Sequence, residues 1–280
     1  TGGGKRDIMR AFGEGARKHG VEVSYIEQHN YIKSDYAMVF AYKSEGVNSP
    51  NHNFRQEVVD KHDKNIFFVD SNVLKSYESD VRYFRFPYKS VHPHEADYML
   101  DEDVSRNDQI IKDLKLQIKP WRTKGDHILV LGQNLNDASL LGADMDLWVT
   151  TTIRHLLRIT KRPIVFRDHP ENGNKIREVI SRNFHDTKQV KYDENVSIKD
   201  SLQNAHCCVA YTSGSSLDAI IDGVPVIPTS QYNFVWEISS HNINDIENPK
   251  MGEREQLLHN LAYAQWSVQE IQQGKPWNHL

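Results

Sequence analysis

Residues 207–228 constrain the fold more than any other stretch, because their pattern predicts a strand, a tight turn, a helix and a second strand in succession. An apolar run leads into a loop of small residues. The helix that follows has an apolar side made of Leu217, Ile220 and Ile221. Gly223 predicts the end of that helix, and Pro225 prevents its continuation into the second apolar run, residues 224–227.

The turn before this helix has the composition of an anion-binding site. Its residues would present backbone N–H groups and hydroxyls at the amino end of a helix, where the helix dipole favours negative charge. They are Thr212, Ser213, Gly214, Ser215 and Ser216. Asp218, in the first helical turn, could reach a sugar hydroxyl beside a bound phosphate. Alternatively, Ser215 or Ser216 only caps an ordinary helix.

The run Ser-Gly-Ser-Ser-Leu-Asp-Ala-Ile at 213–220, followed by Gly-Val-Pro-Val-Ile at 223–227, resembles the donor-site motif of GT-B type glycosyltransferases, most closely those of bacterial capsule and phage families. The resemblance implies an α/β fold of two Rossmann-like domains facing a cleft, with a C-terminal helix that crosses back to the first domain. It also implies that the glycine and serine backbone holds a nucleotide diphosphate. Asp218, in place of the usual Glu, would hold the ribose.

Length and composition predict two domains in an ordinary globular chain. With 280 residues, 38% of them hydrophobic, the chain can bury a large core. We expect an acceptor-side α/β domain over residues 1–120 and a nucleotide-sugar-binding α/β domain over residues 121–280. The net charge of −4 gives no global attraction to nucleic acid, so a DNA partner would need a local basic face.

The chain is expected to be cytoplasmic, in the host cell if it is phage-encoded. No apolar run approaches the roughly 18 residues of a membrane-spanning helix, and no charged-then-apolar leader is present, so neither a span nor an export signal is expected. Cys207 and Cys208 are adjacent in a predicted buried strand, where their side chains would point to opposite faces. A disulfide or a metal site is therefore not expected there.

The first half predicts a small α/β domain with a mostly parallel sheet. Short apolar runs predict strands over residues 21–26, 36–42 and 66–69, with a helix near residues 54–61. Before them, a glycine-rich loop opens a helix that ends at Gly20. The loop lacks complete dinucleotide or P-loop spacing, so a tight turn facing the cleft is favoured over a phosphate site. Its acceptor-side candidates are Gly3, Gly4 and Lys5.

Two strands of the second half end in polar residues that should join the Ser213 turn. Residues 127–131 lead into Gly132 and Gln133, and residues 163–166 lead into Arg167 and His169. In open α/β sheets the ligand lies beyond the carboxyl ends of the strands, so these segments predict one crevice. The Arg-x-His-Pro pattern also resembles the capsule-type transferases, which carry Pro where this chain has Asp168. The alternative role for Arg167 is a buried ion pair.

Two acidic or histidine-containing patterns could bind metal but have simpler explanations. Asp144-Met145-Asp146 has the Asp-x-Asp spelling that another glycosyltransferase class uses for a divalent ion, but it directly precedes a predicted helix over residues 147–160, so N-capping explains it. His92-Pro93-His94-Glu95 fits a solvated loop better than a metal site. We expect no metal, and no cofactor beyond a nucleotide-diphosphate sugar as co-substrate.

The C-terminal tail and the segment between the two halves predict helices. The tail has apolar residues at helical spacing over residues 253–273, and the segment before the boundary near residue 120 has them over residues 108–118.

The acceptor is predicted to meet a long polar loop, residues 44–55. His52 is the candidate general base there, with Glu14 and Asp70 as rivals, and Arg55 and Arg85 are candidate acceptor contacts. Basic residues of the first half could form a face for DNA: Lys5, Arg6, Arg10, Arg17, Lys18, Lys43, Arg55, Lys61, Arg82, Arg85 and Lys89. Aromatic residues could stack on a flipped base: Tyr42, Phe54, Tyr83 and Phe84. Alternatively, the basic residues form a solvated face.

These observations predict a metal-independent glycosyltransferase that moves a sugar from a nucleotide-diphosphate sugar, expected to be a UDP-sugar, to an acceptor hydroxyl. The likeness to phage enzymes favours a hydroxymethylated pyrimidine in double-stranded DNA as acceptor, ahead of a bacterial surface polysaccharide. A nucleotide-sugar epimerase and a non-catalytic nucleotide-binding domain are the alternative functions.

Overall fold

The computed structural model describes residues 4–26, 30–40, 42, 50–63, 65–76, 78–92, 102–194 and 197–279. The chain divides into two compact units. The first unit is Thr1–Lys115 together with Gln256–Leu280, and the second unit is Leu116–Glu255. The sequence predicted one boundary near residue 120, and the resemblance implied a C-terminal helix that crosses back to the first domain. In the structure the segment from Gln256 onward belongs to the first unit. Among the described residues, no helix is both long enough and apolar enough to cross a bilayer.

Helices and strands alternate along much of the chain. The amino-terminal part of the first unit contains α1 (Lys5–Lys18), β1 (Ala37–Phe40), α2 (Pro50–His62), β2 (Ile66–Ser71), β3 (Tyr83–Arg85) and α3 (Ser105–Leu114). The second unit contains β4 (His127–Leu131), α4 (Met145–Ile159), β5 (Ile164–Arg167), α5 (Lys175–Phe184), β6 (Val190–Tyr192), α6 (Ile198–Ser201), β7 (Ala205–Ala210), α7 (Ser215–Ile221) and β8 (Val226–Pro228). The last segment contains α8 (Glu255–Tyr263), β9 (Gln265–Ser267), α9 (Val268–Gln273) and α10 (Lys275–His279).

The sheet of the first unit has the strand order β1-β2-β3-β9 in the described residues. β1 and β2 are parallel, but β2–β3 and β3–β9 are antiparallel. The prediction of a mostly parallel sheet is therefore wrong for these strands. The strand predicted at residues 21–26 is also absent, because this segment packs on α1 instead: the Tyr25 hydroxyl donates to the Arg10 carbonyl, and its ring lies against the Arg17 guanidinium.

The single tail helix predicted over residues 253–273 is interrupted by β9, which pairs with β3. The side chain of Gln265 accepts hydrogen bonds from the backbone N–H groups of Val73 and Leu74, both at 2.9 Å, so this residue is fixed in the sheet. A capping box between Ser267 and Glu270 then begins α9. The tail does contain helices at the predicted positions, but the capping box at Ser267 and the pairing of β9 with β3 divide it into α8, β9 and α9.

Arg106 on α3 holds this last segment in the first unit. Its guanidinium forms an ion pair with Glu270 at 2.7 Å and donates to the carbonyls of Ala262 and Gln265 at 2.8 and 2.6 Å. The same group lies 3.7 Å from the ring centroid of Trp266. Burial alone would raise the pKa of Glu270, but the hydrogen bonds and charge of Arg106 hold it below its ordinary value.

The second unit contains a parallel sheet of order β6-β5-β4-β7-β8 in the described residues. The chain builds the sheet outward from β4 in one direction and then crosses to the other side of β4 to add β7 and β8. Strands β4 and β7 are buried along nearly their whole length, as expected for central parallel strands covered on both faces. A core that includes Ile128, Ile153 and Phe166 packs α4 and α5 on this sheet.

Gly15 allows α1 to pack closely against α9. A Cβ at this position would collide with the carbonyl oxygen of Ile271 and lie 3.1 Å from the Cα of Gly274. An alanine inside a helix normally stabilises it by roughly 0.5–1 kcal/mol relative to glycine. Here we expect Gly15→Ala to lower stability by about 1–3 kcal/mol, since backbone atoms must move apart. Thermal and urea unfolding of the purified variant measures this.

Gly214→Ala is the matched control, because its Cβ would meet nothing within 4 Å and its backbone φ of −60° suits alanine. This variant should unfold at the temperature of the wild type. Equal stability of Gly15→Ala and the wild type would contradict the close packing of α1 on α9.

Candidate functional site

The strand order of the second unit defines where a ligand would bind. The order reverses between β4 and β7, and in open α/β sheets ligands occupy the crevice outside the carboxyl ends of the strands at such a reversal. Gln133 follows β4, and Thr212 and Ser213 follow β7. The residues that the sequence singled out in these two segments therefore lie at the strand ends on either side of the reversal.

Several of these polar side chains bind one another. The side-chain oxygen of Gln133, a residue 4% exposed, accepts from the Thr212 hydroxyl at 2.8 Å and from its backbone N–H at 3.2 Å. The Gln133 amide donates to the Ser139 hydroxyl at 2.7 Å. Gly132 lets the neighbouring loop approach, because a Cβ there would lie 2.9 Å from the Arg167 carbonyl oxygen. Gln133 and Thr212 thus join the loops after β4 and β7.

Asn233, a fully buried residue, stabilises the turn before α7. No sequence pattern had identified it. Its side-chain amide donates to the Tyr211 carbonyl at 2.9 Å and to the Ser216 hydroxyl at 3.0 Å. Gly214 is the N-cap of α7 and no side chain caps this helix, so the interpretation of Ser215 or Ser216 as a cap is wrong. Ser216 is buried, whereas Gly214 is exposed and Ser215 is half-buried.

Asp218 lies in the first turn of α7, as predicted, and is half-buried there. Ser213 is 7% exposed. The exposed residue of the turn is therefore Gly214, next to the half-buried Ser215, and Asp218 lies in the helical turn that follows. Accessible backbone at the start of a helix can donate N–H groups to an anion.

Arg167 ends β5 and makes a buried ion pair. Its guanidinium lies 3.0 Å from the carboxylate of Asp193 and donates to the Ser201 hydroxyl at 2.7 Å. The Asp193 side chain is 2% exposed and that of Arg167 is 14% exposed. The alternative prediction for Arg167, a buried ion pair, is therefore what the structure contains.

His169 begins a short turn whose position is fixed by Asn172. The Asn172 amide donates to the Gln133 carbonyl at 2.8 Å and to the Asp168 carboxylate at 2.7 Å. The Nδ1 atom of His169 accepts from the Glu171 backbone N–H at 3.3 Å. While this bond is kept, the ring proton resides on Nε2, so the half-buried imidazole presents an N–H donor.

Asp168 is the residue at which this chain departs from the Arg-Pro-His-Pro spelling. Burial raises the pKa of its carboxyl, an effect only partly offset by the hydrogen bonds from Asn172 and His169. Burial, together with the nearby charge of Asp168, raises the pKa of the Tyr192 hydroxyl to about 12. The carboxylate thus acts in the structure as an acceptor that holds the His169 turn.

The Asp144-Met145-Asp146 segment caps α4. The Asp144 carboxylate accepts from the Leu147 backbone N–H at 3.0 Å, which confirms the N-cap interpretation. Among the described residues, no group of three or more His, Cys, Asp and Glu side chains is arranged to hold a metal ion. His92 is buried, and the remainder of the His-Pro-His-Glu pattern lies outside the described residues.

Candidate residues of the first unit lie in several places. Gly3 lies outside the described residues, and Gly4 and Lys5 begin α1, where the Lys5 ammonium lies 5.6 Å from the Phe40 ring at the carboxyl end of β1. Asp70 is near the end of β2 and forms an ion pair with Arg85 at 2.7 Å. Glu14 accepts a hydrogen bond from Gln272 on α9.

The acceptor loop predicted over residues 44–55 is wrong in its second half. Residues 50–55 form the first turns of α2, because Pro50 suits the start of a helix, and residues 44–49 lie outside the described part. His52 is 6% exposed within this helix, with its ring 6.0 Å from that of Tyr42. The structure therefore contains a buried helical histidine where the sequence predicted an exposed loop residue.

Some residues of the predicted basic and aromatic face are buried in the structure. Arg85 is 6% exposed and occupied by Asp70 and the Val91 carbonyl, and Tyr83 is 4% exposed with its hydroxyl bonded to Asp113. Arg55 is partly buried, and this burial lowers its pKa. Lys43 lies outside the described residues. Arg85 and Tyr83 are therefore not available to contact or stack on DNA.

Comparison with solved structures shows which known fold the chain has. No family model and no curated protein matches the sequence. Among solved structures, the β-Kdo 2,7-transferase of Thermosulfurimonas dismutans KpsC matches over 88% of this chain and all of its own, with a TM-score of 0.50 and 13% identity. The β-Kdo 2,4-transferase of the same KpsC matches over 81% and 79%, with a TM-score of 0.50 and 15% identity. The chain has a GT-B-like fold of two Rossmann-like domains.

A UDP-GlcNAc 2-epimerase from Methanocaldococcus jannaschii also matches, over 40% of this chain and 31% of its own, with a TM-score of 0.31 and 20% identity. This likeness is too low to carry an argument about the present chain.

Arg167→Ala should destabilise the second unit, since it leaves the buried Asp193 carboxylate without its counter-charge. Removing one partner of a buried pair costs about 3–5 kcal/mol. In the double variant Arg167→Ala, Asp193→Asn, most of that stability should return, because the buried charge is gone and the Ser201 contact is kept. Urea unfolding of both variants measures the difference. A single variant as stable as the wild type would contradict a structural role for the ion pair.

Proposed function

We propose that this chain is a glycosyltransferase whose second unit binds a nucleotide-activated sugar and whose first unit receives the acceptor. The observation that carries the proposal is the meeting of polar segments at the carboxyl ends of β4, β5 and β7, beside the reversal of strand order. The GT-B-like fold supports it, because the two KpsC structures that match over most of the chain are Kdo transferases.

Sugar transfer requires that the negative charge of the leaving phosphate be stabilised. In the proposed donor site, the backbone N–H groups of Gly214 and Ser215 and the Nε2–H of His169 donate to the phosphate oxygens. Asp218 accepts from a ribose hydroxyl. The other residues selected from the sequence, Gly132, Gln133, Thr212, Ser213 and Ser216, set the shape of the loops that present these groups.

Arg167 has a smaller part in this proposal than the sequence suggested. Its guanidinium is bound to Asp193 and Ser201, so any contact with a phosphate adds to those two interactions rather than replacing them. The double variant Arg167→Ala, Asp193→Asn gives a background in which such a contact can be measured without an unbalanced buried charge.

We assign the role of general base to Asp70 ahead of His52. The Asp70 side chain is 44% exposed at the carboxyl end of β2 and is oriented by Arg85, whereas His52 is buried in α2. Glu14 is the weakest of the three candidates, because it lies within α1 and is bound to Gln272.

The proposed acceptor is a bacterial surface polysaccharide rather than modified DNA. The sequence favoured a hydroxymethylated pyrimidine in DNA, but two residues of that basic and aromatic face, Arg85 and Tyr83, are buried. The proteins of similar fold are named as Kdo transferases, which supports a saccharide substrate.

Transfer is tested with a panel of UDP-, CMP- and GDP-sugars, each with and without acceptors. We expect nucleotide release to rise when a capsular oligosaccharide is added, and the oligosaccharide to gain the mass of one sugar. Asp70→Asn should lower kcat at least tenfold with little change in donor Kd, because it removes the base and keeps the shape. Release without an acceptor, with an epimerised sugar seen by NMR, would instead identify an epimerase.

The same panel separates the remaining alternatives. A sugar adduct on DNA that contains hydroxymethylcytosine, and none on the oligosaccharides, would restore the DNA acceptor. Binding of nucleotides with neither transfer nor release in any mixture would identify a non-catalytic nucleotide-binding protein.

Activity should persist in EDTA. The proposed donor site neutralises the phosphate with backbone and imidazole N–H groups, and the Asp144 carboxylate is occupied as a helix cap. Asp144→Asn is the control, because asparagine caps helices as well as aspartate but binds a divalent ion more weakly, without the carboxylate charge. Loss of activity in EDTA that manganese restores, together with loss in Asp144→Asn, would reverse this assignment.

A further inference from the structure

Two aromatic side chains stand next to the proposed donor turn and are not accounted for by it. Tyr211 is the residue between β7 and Thr212, and Trp148 lies in the first turn of α4. Their ring centroids are 6.1 Å apart with the planes at 62°. Both are half-buried, with one side packed against the core of the second unit.

Two residues that follow β8 contact this pair. The Trp148 indole N–H donates to the Thr229 hydroxyl at 2.8 Å, just beyond the end of β8. The Tyr211 backbone is held by the buried Asn233, whose amide donates to its carbonyl at 2.9 Å. A ring held by a hydrogen bond, as that of Trp148 is, loses little conformational freedom when a ligand stacks on it.

Two large apolar side chains close to Trp148 in the sequence are exposed. Leu147 is 60% exposed, and Leu141, in the loop that leads to α4, is 52% exposed. Leu141 also has a left-handed backbone with φ of 51°, which is uncommon for a leucine and a feature that tends to cluster at ligand sites.

We propose that Trp148 and Tyr211 form a subsite for the flat base of the donor nucleotide. This inference rests on the proposed function, because it places the base one residue from the turn that would hold the phosphate. A nucleotide carries one apolar, planar part and one anionic part. The carboxyl end of β7 offers the Tyr211 ring and, three residues later, the exposed Gly214 at the start of α7.

The experiment measures nucleotide binding by tryptophan fluorescence and by calorimetry, with UDP, CMP, GDP and inorganic pyrophosphate as probes. We expect at least one nucleotide to change the emission of the wild type. Trp148→Phe should abolish that change. Trp121→Phe should keep it, because Trp121 lies near Gly223, at the end of α7 opposite to the turn.

Affinity separates the base from the phosphate. Tyr211→Ala should weaken nucleotide binding about tenfold, the size expected for loss of one base–aromatic stack, and leave pyrophosphate binding unchanged. Tyr211→Phe keeps the ring and should bind as the wild type does. Thermal unfolding of each variant shows whether it is folded, and the Tyr211 pair still tests the subsite if Trp148→Phe is unstable.

Failure of the subsite proposal and failure of the proposed function give different results. Nucleotides that bind Tyr211→Ala as tightly as the wild type, with an emission change that persists in Trp148→Phe, would overturn the subsite and leave the proposed function standing. Absence of nucleotide and pyrophosphate binding to the wild type would overturn the proposed function, and the subsite with it.

Discussion

The carboxyl end of the second sheet depends on buried carboxamides that join one loop to the next. Gln133, Asn172 and Asn233 are 4%, 6% and 0% exposed, and each bonds groups on a different segment of the chain. A carboxamide suits this role because it carries both donors and an acceptor in one rigid plane. Once buried, its groups are costly to leave without partners, so the loops are held in one arrangement. These contacts join the loop after β4 to the turn before α7 and to the turn at His169.

Guanidinium groups have the corresponding role in the first unit. Arg106 binds a carboxylate and two backbone carbonyls of the last segment, and Arg85 binds Asp70 and the Val91 carbonyl. Five donors in a fixed plane allow one side chain to join several segments that are distant in sequence. Because these contacts hold β9 beside β3, the last residues of the chain belong to the sheet of the first unit and Glu270 remains ionised at low exposure.

The sequence predicted the second unit well, because its elements are determined locally. Continuous apolar runs indicated the central strands, and Asp144 indicated the start of α4. Predictions failed where a distant partner decides the outcome. Arg167 could bind a ligand or Asp193, and nothing at position 167 identifies an acid 26 residues later as its partner. β9 likewise exists because β3 is beside it. The Ser267-x-x-Glu270 pattern was readable and would have separated α9 from the helix before it.

Several residues that were predicted to contact the ligand instead bind other parts of the protein. The proposed donor site therefore has fewer side chains with which to bind a phosphate. With Arg167 paired and Gln133, Thr212 and Ser216 engaged with neighbouring loops, the accessible groups at the strand ends include the backbone at Gly214 and Ser215, the imidazole of His169 and the ring of Tyr211. The Asp218 carboxylate, an acceptor, lies in the first turn of α7, and the backbone N–H groups are uncharged dipoles. Backbone N–H groups at the first turn of a helix act on an anion mainly through that turn, so even a helix as short as α7 can contribute. Fixed N–H dipoles bind an anion strongly only when its oxygens lie along the N–H directions. Such a site therefore selects a ligand by its geometry more than by its total charge.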